Sequence, residues 1–200
     1  MDVIETVLKV AATWLVVDWI SGFVHWCEDT YGSPSTLFVG RRITKPNLRH
    51  HFNPRSFVHN SWFASAELLL WACAAALLVA WSLGRLGPMV VVAAVLGANA
   101  NQVHKWSHRS PAENGAVIGA LQRVGLLQAP RHHQQHHLGA RNSHYCVLTN
   151  LLNPVLDRCR FWRGLERLVA WTIGLTPRDD DALLAAVLRD EPDFLSRTSS

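Results

Sequence analysis

The placement of histidine is the feature of this sequence that most restricts its fold. Eight of the eleven histidines lie in short groups, and each group lies at or just beyond the same end of an apolar segment. These eight are His25, His50, His51, His104, His108, His133, His136 and His137. Because neutral imidazole is the commonest protein ligand for transition metals, this placement predicts one metal-rich site on one side of a membrane.

Composition indicates one apolar domain with a basic surface. The 200 residues are 49% hydrophobic and 17% charged, and they include nine tryptophans. A formal net charge of +4 would suit nucleic acid or an anionic lipid surface. Because the arginines flank the apolar segments, we expect a lipid surface and no nucleic-acid partner. We also expect no cleaved signal peptide, since a basic start followed by a small-residue cleavage site is absent.

Three segments are apolar enough to be considered as membrane spans, which take about 20 residues each. They run from Val3 to Trp26, from Trp62 to Leu83 and from Leu86 to Val103. Only Gly84 and Arg85 separate the last two, so we expect a helical hairpin there. The sequence therefore predicts an all-α integral membrane helical bundle with about three transmembrane helices.

Basic residues predict the orientation of these segments. Five lie between the first and second segments, five more lie between residues 104 and 141, and the hairpin turn carries only Arg85. Short loops rich in lysine and arginine stay in the cytoplasm. The grouped histidines, and with them a His-rich site for two metals, are therefore predicted on the cytoplasmic side.

Shorter helices are predicted after the third segment. The stretch Ala116–Leu127 is amphipathic, which fits a helix on the membrane surface or a helix of a soluble core. A further helix is predicted near Leu165–Ile173. Another should follow the acids Asp179 to Asp181, which favour a helix N-terminus.

We expect the chain to divide near residue 180. Residues 1–180 would form the membrane domain, and 181–200 a short C-terminal helix and tail. The last residues, from Arg197 onward, are expected to fray.

Histidine spacing predicts two metal ions. Two segments carry histidines three or four residues apart, which places the rings on one face of a helix. They hold His104 and His108, and His133, His136 and His137. The adjacent His50 and His51 would diverge by about 100° on a helix, so they would serve two ions or two sides of one site. Since a structural zinc takes four ligands and a catalytic zinc three, eight imidazoles suit two metals with about four each.

Ligand chemistry narrows the choice of metal. The four cysteines have no CxxC spacing and HExxH is absent, so disulfides, a cysteine zinc site and a zinc protease are not expected. Imidazole-rich sites suit iron, copper, zinc and nickel. At a membrane surface we expect iron that activates dioxygen, an inference from the class of chemistry and not from the spacing.

Two acids accompany the histidines. Asp18, His25 and Asp29 are seven and four residues apart, so one helical stripe carries all three. Carboxylates often accept the second ring N–H of a ligating histidine, and we predict this role for both acids. The alternatives are an interfacial Asp18 that reaches water and an Asp29 solvated in a loop.

The remaining histidines, His59, His132 and His144, are expected to be surface or satisfied core residues. A membrane metal-binding or transport protein is the alternative from a different functional class. Transport would need ligands distributed along the spans, whereas these histidines gather at one end.

Five motifs resemble, in order, those of the lipid desaturase (Kua) domain family. They are DWISGFVHWCEDTYGS from Asp18, RHHFNP from Arg49, NQVHKWSH from Asn101, PRHHQQHH from Pro130 and YCVLTNLLN from Tyr145. The resemblance extends to PRDDD near Asp181 and covers most of the chain. The histidine pattern of the family falls on the eight grouped histidines, while His132 is matched in one branch and looks like glutamine in another.

The resemblance implies an integral membrane di-iron desaturase. Such an enzyme holds two iron ions and uses dioxygen with two electrons from a cytochrome b5-type or ferredoxin-type donor. Its substrate is a phospholipid in the membrane. The NQVHKWSH and HHQQHH stretches look closer to the branch that converts the sn-1 alkyl ether of plasmanylethanolamine to the vinyl ether of a plasmalogen. Trans-3 desaturation of an acyl chain, as in the plant branch, and lipid hydroxylation are the alternatives.

The chain departs from the family pattern in two places. Asn150 stands where a glycine followed by an aromatic residue is expected, which would alter the lipid slot. The N-terminus and the hairpin loop are shorter than in the animal proteins.

Overall fold

The computed structural model describes residues 2–196, and all regular secondary structure within that range is helical. The predicted all-α fold is therefore confirmed. The helices are α1 (Val3–Tyr31), α2 (Lys45–Phe52), α3 (Trp62–Ser82), α4 (Pro88–Ala98), α5 (Ala100–Ser107), α6 (Pro111–Arg123), α7 (Pro130–His137), α8 (Asn153–Arg158), α9 (Phe161–Ile173) and α10 (Asp180–Asp190), with a π-helical turn (Gly40–Thr44) before α2. The residues from Arg197 onward, predicted to fray, lie outside the described residues.

Helix α1 is longer than the apolar segment that predicts it. The Asp2 side chain caps its start by accepting from the Ile4 amide, and the helix continues five residues past Trp26 to Tyr31. Its 29 residues make it about 43 Å long at 1.5 Å per residue, against about 30 Å for the hydrocarbon core of a bilayer. The buried residues of α1 all lie in its C-terminal half, from Val17 to Thr30. This half is therefore the part of α1 that builds the protein core.

Helices α1 and α3 are long and apolar enough to cross a membrane. Ser61 caps α3 by accepting from the Ala64 amide. Large apolar side chains of α3 point away from the protein, and Trp71 and Trp81 are 71% and 66% exposed. Such exposure suits a helix whose outer face contacts lipid.

The third apolar segment is broken into two helices at Asn99. Its backbone adopts φ −98° and ψ 3° between α4 and α5. The Asn99 side chain accepts from Trp62 Nε1 at 3.0 Å and donates to the Val95 carbonyl at 2.8 Å, so it competes with helical hydrogen bonding. Since α4 alone has only 11 residues, the structure shows two helices of spanning length within the described range.

Helix α6 starts and ends earlier than the predicted Ala116–Leu127 helix. Ser110 and Glu113 form a capping box, and Gly115, at φ 74°, interrupts the helix. Val117 on its outer side is 73% exposed, whereas Leu127 beyond its end is buried in the core with Val17 of α1. One side of this segment therefore packs on the protein while the other is free to meet lipid.

The C-terminal helices form where they are predicted. α9 includes the predicted stretch 165–173, and Asp179 caps α10 by accepting from the amides of Asp181 and Ala182. Val187 of α10 packs with Leu48 of α2. The C-terminal segment is therefore packed against the helix that carries His50 and His51.

A loop between α7 and α8 is anchored to α1 by a buried carboxylate. Asp18 is fully buried and accepts from the amides of Leu148 and Thr149 at 2.8 and 3.2 Å and from the Thr149 hydroxyl at 2.6 Å. Asp18 is therefore not an interfacial residue that reaches water. One turn further along α1, Gly22 lies against Cys146 of the same loop. Cys146 is a free thiol, as are the other three cysteines.

We predict that Gly22→Ala destabilises the protein. An added Cβ would lie 2.6 Å from the Cys146 sulfur and 3.0 Å from the Cys146 amide nitrogen, so the loop would have to move away from α1. Such overpacking costs about 1–3 kcal/mol, measurable as a lower melting temperature in detergent. The control is Gly119→Ala in α6, where no atom lies within 4 Å of the added Cβ. Equal melting temperatures for the two variants would contradict the proposed close approach.

Candidate metal centre

The structure brings all eight grouped histidines together at one end of the bundle. They form two neighbouring sets, and the possible ligand atoms within each set lie within 4.8 Å of one another. The five-histidine group consists of His50, His104, His108, His133 and His137. The His–Asp group consists of His25, Asp29, His51 and His136.

Helical spacing explains how the rings are shared between the groups. Adjacent His50 and His51 of α2 diverge as predicted, one into each group. In α7, His133 and His137 are four residues apart and enter the five-histidine group, whereas His136 turns to the other. The spacing of the three α7 histidines predicted that their rings share one helix face. In the structure, the rings are instead divided between the two groups.

Nitrogen atoms crowd the five-histidine group. His133 Nε2 lies 2.9 Å from His104 Nε2 and 3.0 Å from His137 Nε2, and His104 Nε2 lies 3.3 Å from His108 Nε2. Both ring nitrogens of His50, and the Nδ1 atoms of His133 and His137, are buried and have no hydrogen-bond partner within residues 2–196. Buried polar atoms without partners are costly, and a bound cation would satisfy this cluster of unshared electron pairs.

Outer hydrogen bonds fix the tautomers of two rings in the His–Asp group. His25 Nδ1 lies 3.0 Å from the Tyr145 carbonyl oxygen, and His136 Nδ1 lies 2.7 Å from the Ser143 carbonyl oxygen. A carbonyl oxygen only accepts, so each Nδ1 carries its proton and donates it. In this tautomer of the neutral ring, Nε2 keeps its unshared electron pair, and in both residues that atom points into the group.

Asp29 faces those electron pairs. Its carboxylate oxygens lie 3.3 Å from His25 Nε2, 3.4 Å from His51 Nε2 and 3.2 Å from His136 Nε2. Acceptors that face acceptors in a buried space require a proton or a metal cation between them. The Asp29 side chain is 4% exposed, so the alternative of a solvated loop acid is wrong. The sequence predicted that Asp29 accepts a hydrogen bond from the outer nitrogen of a ligating histidine. In the structure, Asp29 instead lies among the possible ligands themselves.

The protonation of the two groups differs when no metal is bound. Burial, reinforced by nearby imidazoles, holds the pKa of His50 and of His133 well below the ordinary value and lowers the pKa of His108 to about 3. Burial also lowers the pKa of His51, but Asp29 and Asp180 outweigh it and raise that pKa to about 9. The five-histidine group thus consists of neutral imidazoles ready to ligate, while the carboxylates attract positive charge to the other group.

The other candidate residues lie outside both groups. Asp18 bonds to the Leu148–Thr149 loop, which also contains Tyr145, so it supports His25 only through that loop. His59 is exposed, His132 lies 3.3 Å from Asn153 Nδ2, and His144 lies 2.9 Å from Asp157. Their predicted roles as surface or satisfied residues fit these contacts.

The sequence did not predict two hydrogen bonds near the centre, one made by Asp180 and one made by Asn150. Asp180 Oδ2 lies 2.8 Å from His51 Nδ1, although the residues are 129 positions apart. Asn150, which departs from the family pattern, accepts from the Ala129 amide at 2.9 Å and so ties the start of α7 to the following loop. The acids Asp179 to Asp181 predicted a helix start, and PRDDD marked the end of the family resemblance, but neither indicated a contact with His51.

Comparisons with known proteins show the family to which this chain belongs. The chain matches the lipid desaturase domain over residues 14–180. A plasmanylethanolamine desaturase of Myxococcus xanthus is 34% identical over 175 residues, which cover 84% of this chain and 62% of that protein. Plasmanylethanolamine desaturase 1 of Mus musculus is 31% identical, with 88% and 69% covered, and the chloroplastic fatty acid desaturase 4 of Arabidopsis thaliana is 30% identical, with 88% and 55% covered. This chain thus spans less than two thirds of the Myxococcus and Arabidopsis proteins. No solved structure matches it.

Neighbouring histidines of α7 offer a test of the ligand groups. We predict that His133→Ala lowers the metal content of the purified protein, because His133 Nε2 lies within 3.0 Å of two other ligand nitrogens. His132→Ala, one position earlier, should keep the wild-type content, since His132 lies outside both groups. Metal per chain is measured by inductively coupled plasma mass spectrometry. Equal metal loss in both variants would contradict the grouping.

We predict that the metal-free protein loses stability as the pH falls from about 6.5 to about 4. The pKa values of His50, His108, His133 and His137 are lower in the folded chain than in an unfolded one, so the unfolded state binds more protons in this window. Each such histidine contributes up to about 1.4 kcal/mol per pH unit. The raised pKa of His51 acts oppositely, because its contribution is complete below about 6.5 and is lost as the pH rises toward 9. A melting temperature in maltoside detergent that stays constant or increases toward pH 4 would refute the buried neutral imidazoles.

Proposed function

Since this chain belongs to the lipid desaturase domain family, we propose that it is a membrane di-iron desaturase that converts the sn-1 alkyl ether of plasmanylethanolamine to the vinyl ether of a plasmalogen. The observation that carries the proposal is the pair of adjoining buried ligand groups. Rings of the two groups approach closely, with 5.6 Å between the centroids of His25 and His104 and 5.3 Å between those of His136 and His137. Two groups so close together suit two cooperating metals.

The donor set favours iron over metals that prefer thiolate ligands. Eight imidazoles and one carboxylate form the two groups, and no cysteine belongs to either. His50, His104, His108, His133 and His137 would hold one ion, and His25, Asp29, His51 and His136 the other. When bound, two irons would supply the reduction of dioxygen that removes two hydrogens from the lipid and yields two water molecules, with two electrons and two protons taken up. The electron donor is proposed to be of the cytochrome b5 or ferredoxin type.

The protein would contribute two things to this reaction, a fixed orientation of the ligand rings and the exclusion of water. The rings of His133 and His136 are fully buried, so water is excluded from the inner sides of both groups. Carbonyl oxygens of Tyr145 and Ser143 hold His25 and His136 in the tautomer with a free Nε2. A ligand shell held this way needs little rearrangement when charge develops at the centre.

The proposed placement is an integral membrane protein with the centre at the cytoplasmic boundary. α1 and α3 would span the bilayer, and α4 with α5 would make the third crossing despite the break at Asn99. Loop charge supports the cytoplasmic side, and a phospholipid would then enter from the adjoining leaflet. We propose residues 1–180 as the desaturase domain and 181–200 as a short helix and tail, so that α10 begins at the boundary.

One relative favours a second candidate substrate. The Arabidopsis protein named fatty acid desaturase 4 is 30% identical to this chain, only slightly less than the two relatives named for plasmanylethanolamine. Desaturation of a phospholipid acyl chain is therefore the second candidate function. Metal transport is disfavoured, because the ligands form buried groups at one end of the helices.

We predict that cells producing this protein gain vinyl-ether phospholipids and that His104→Ala abolishes the gain. Alkyl-ether lipid is supplied to a host that lacks plasmalogens, and lipids are compared by mass spectrometry before and after mild acid, which cleaves vinyl ethers. His59→Ala, at an exposed position outside both groups, should retain the product.

The products separate the alternatives. An alcohol would identify a hydroxylase, and an acid-stable double bond in an acyl chain would identify the second candidate. A wild-type protein that contains a single zinc ion, together with full desaturation by membrane-inserted His104→Ala, would refute the di-iron assignment.

A further inference from the structure

The C-terminal segment supplies a carboxylate that contacts the metal centre from outside. Asp180 Oδ2 accepts from His51 Nδ1 at 2.8 Å, while Asp180 Oδ1 accepts from Arg178 Nε at 2.7 Å. All three side chains are shielded from water, with exposed fractions of 0% for His51, 14% for Asp180 and 10% for Arg178. Each carboxylate oxygen of Asp180 therefore has its own donor in a protected position.

Arg178 connects the same segment to the end of α1. Its Nη1 donates to the carbonyl oxygens of Glu28 at 2.6 Å and Gly32 at 3.1 Å, and its backbone amide donates to the Thr30 carbonyl at 2.9 Å. An added Cβ at Gly32 would lie only 2.9 Å from Arg178 Nη1, so this packing has no room for a side chain there. The carbonyls flank Asp29 in sequence, and Arg178 thus fixes α1 relative to Asp180.

The orientation of His51 depends on a side chain, unlike that of the other rings in its group. His25 and His136 are oriented by the backbone carbonyls of Tyr145 and Ser143. With Nδ1 bonded to Asp180, His51 Nε2 points into the group, 3.4 Å from Asp29 Oδ1 and 3.3 Å from His136 Nε2. A carboxylate on the outer nitrogen both sets the ring orientation and makes the inner nitrogen a better ligand.

We propose that Asp180 is a positioning residue that orients His51 and thereby sets the metal affinity of the His–Asp group. The proposal rests on the metal centre of the proposed function and adds a residue from beyond the histidine motifs. His50, the neighbour of His51 in the five-histidine group, has no hydrogen-bond partner on either ring nitrogen among the described residues. The effect of Asp180 should therefore be confined to one of the two metals.

Three variants of the 200-residue chain, purified in detergent, test this inference. Asp180→Ala removes both carboxylate contacts, and Asp180→Asn keeps the shape of the side chain without its charge. Asp181→Ala is the matched control, because Asp181 is the next residue, its side chain is 80% exposed and it lies outside both ligand groups. Anaerobic samples are loaded with Fe²⁺ or Co²⁺, counted by mass spectrometry, and titrated with a competing chelator to obtain the two dissociation constants.

The wild type and Asp181→Ala should each hold two metals. Asp180→Ala should weaken one of them by about 10- to 100-fold, the range that loss of such an outer partner causes, and leave the other unchanged. Asp180→Asn should give a smaller loss at the same metal. The Co²⁺ absorption of the retained site should match that of the wild type, which a general loss of structure would not allow.

Contrary outcomes are equally specific. Two metals of wild-type affinity in Asp180→Ala, or equal weakening of both metals, would overturn the positioning role while leaving the proposed function intact. If Asp180→Ala does not fold, the same comparison with Asp180→Asn decides. A wild-type protein that binds no pair of metals would instead refute the proposed function itself.

Discussion

Burial of many imidazole nitrogens beside one carboxylate is the constraint on which the rest of the structure depends. His25 and His136 donate their outer protons to carbonyl oxygens, so their inner nitrogens face Asp29 as acceptors. Acceptors that face each other in a medium of low polarity need a proton or a cation between them, and a bound metal would meet that need for both residues. In the proposed centre, metal binding would therefore be coupled to the folding of this end of the bundle.

That constraint explains why distant segments of the chain hold the histidines of α1, α2, α5 and α7 in place. Asp18 and Gly22 hold the loop whose Tyr145 carbonyl orients His25. The C-terminal segment holds His51 and the last turn of α1 through Asp180 and Arg178. The supporting contacts come from segments that are distant in sequence, so the rings are fixed by the tertiary fold and not by their own helices. A ligand set fixed in this way gains affinity and selectivity from rigid geometry.

Sequence reasoning predicted the residues of the centre better than their arrangement. The position of the eight histidines at one end of the apolar segments led to their prediction as a group, and spacings of three or four residues predicted shared helical faces for five of them. Spacing did not show that His136 would leave His133 and His137, since that depends on how α7 lies between α2 and α5. The role of Asp180 could not be predicted from local sequence. Asp180 bonds to His51, which is 129 positions away in the chain, and no local pattern encodes such a contact.

The helices show the same division between local and tertiary information. Apolar composition located α1 and α3 but placed the end of α1 at Trp26, and only the spacing of Asp18, His25 and Asp29 indicated that the helix continues to Asp29, which is buried together with Thr30. The break at Asn99 was also missed, although asparagine is a poor helix former. At the break, the Asn99 side chain accepts from Trp62 of the neighbouring helix and donates to the Val95 carbonyl, and the bond to Trp62 is a tertiary contact that local sequence does not show.

The length of α1 bears on where a reaction at this centre would occur in a lipid. From Val3 to His25 the helix rises about 33 Å, slightly more than the roughly 30 Å hydrocarbon core, so a first residue at one boundary places His25 at the other. The carbons of an sn-1 chain next to the glycerol lie at that same boundary, whereas carbons in the middle of the chain lie far below it. In the proposed function, a centre at this end of α1 would therefore be suited to the first carbons of the chain, and the same depth would account for the position of all eight histidines at one end of the bundle.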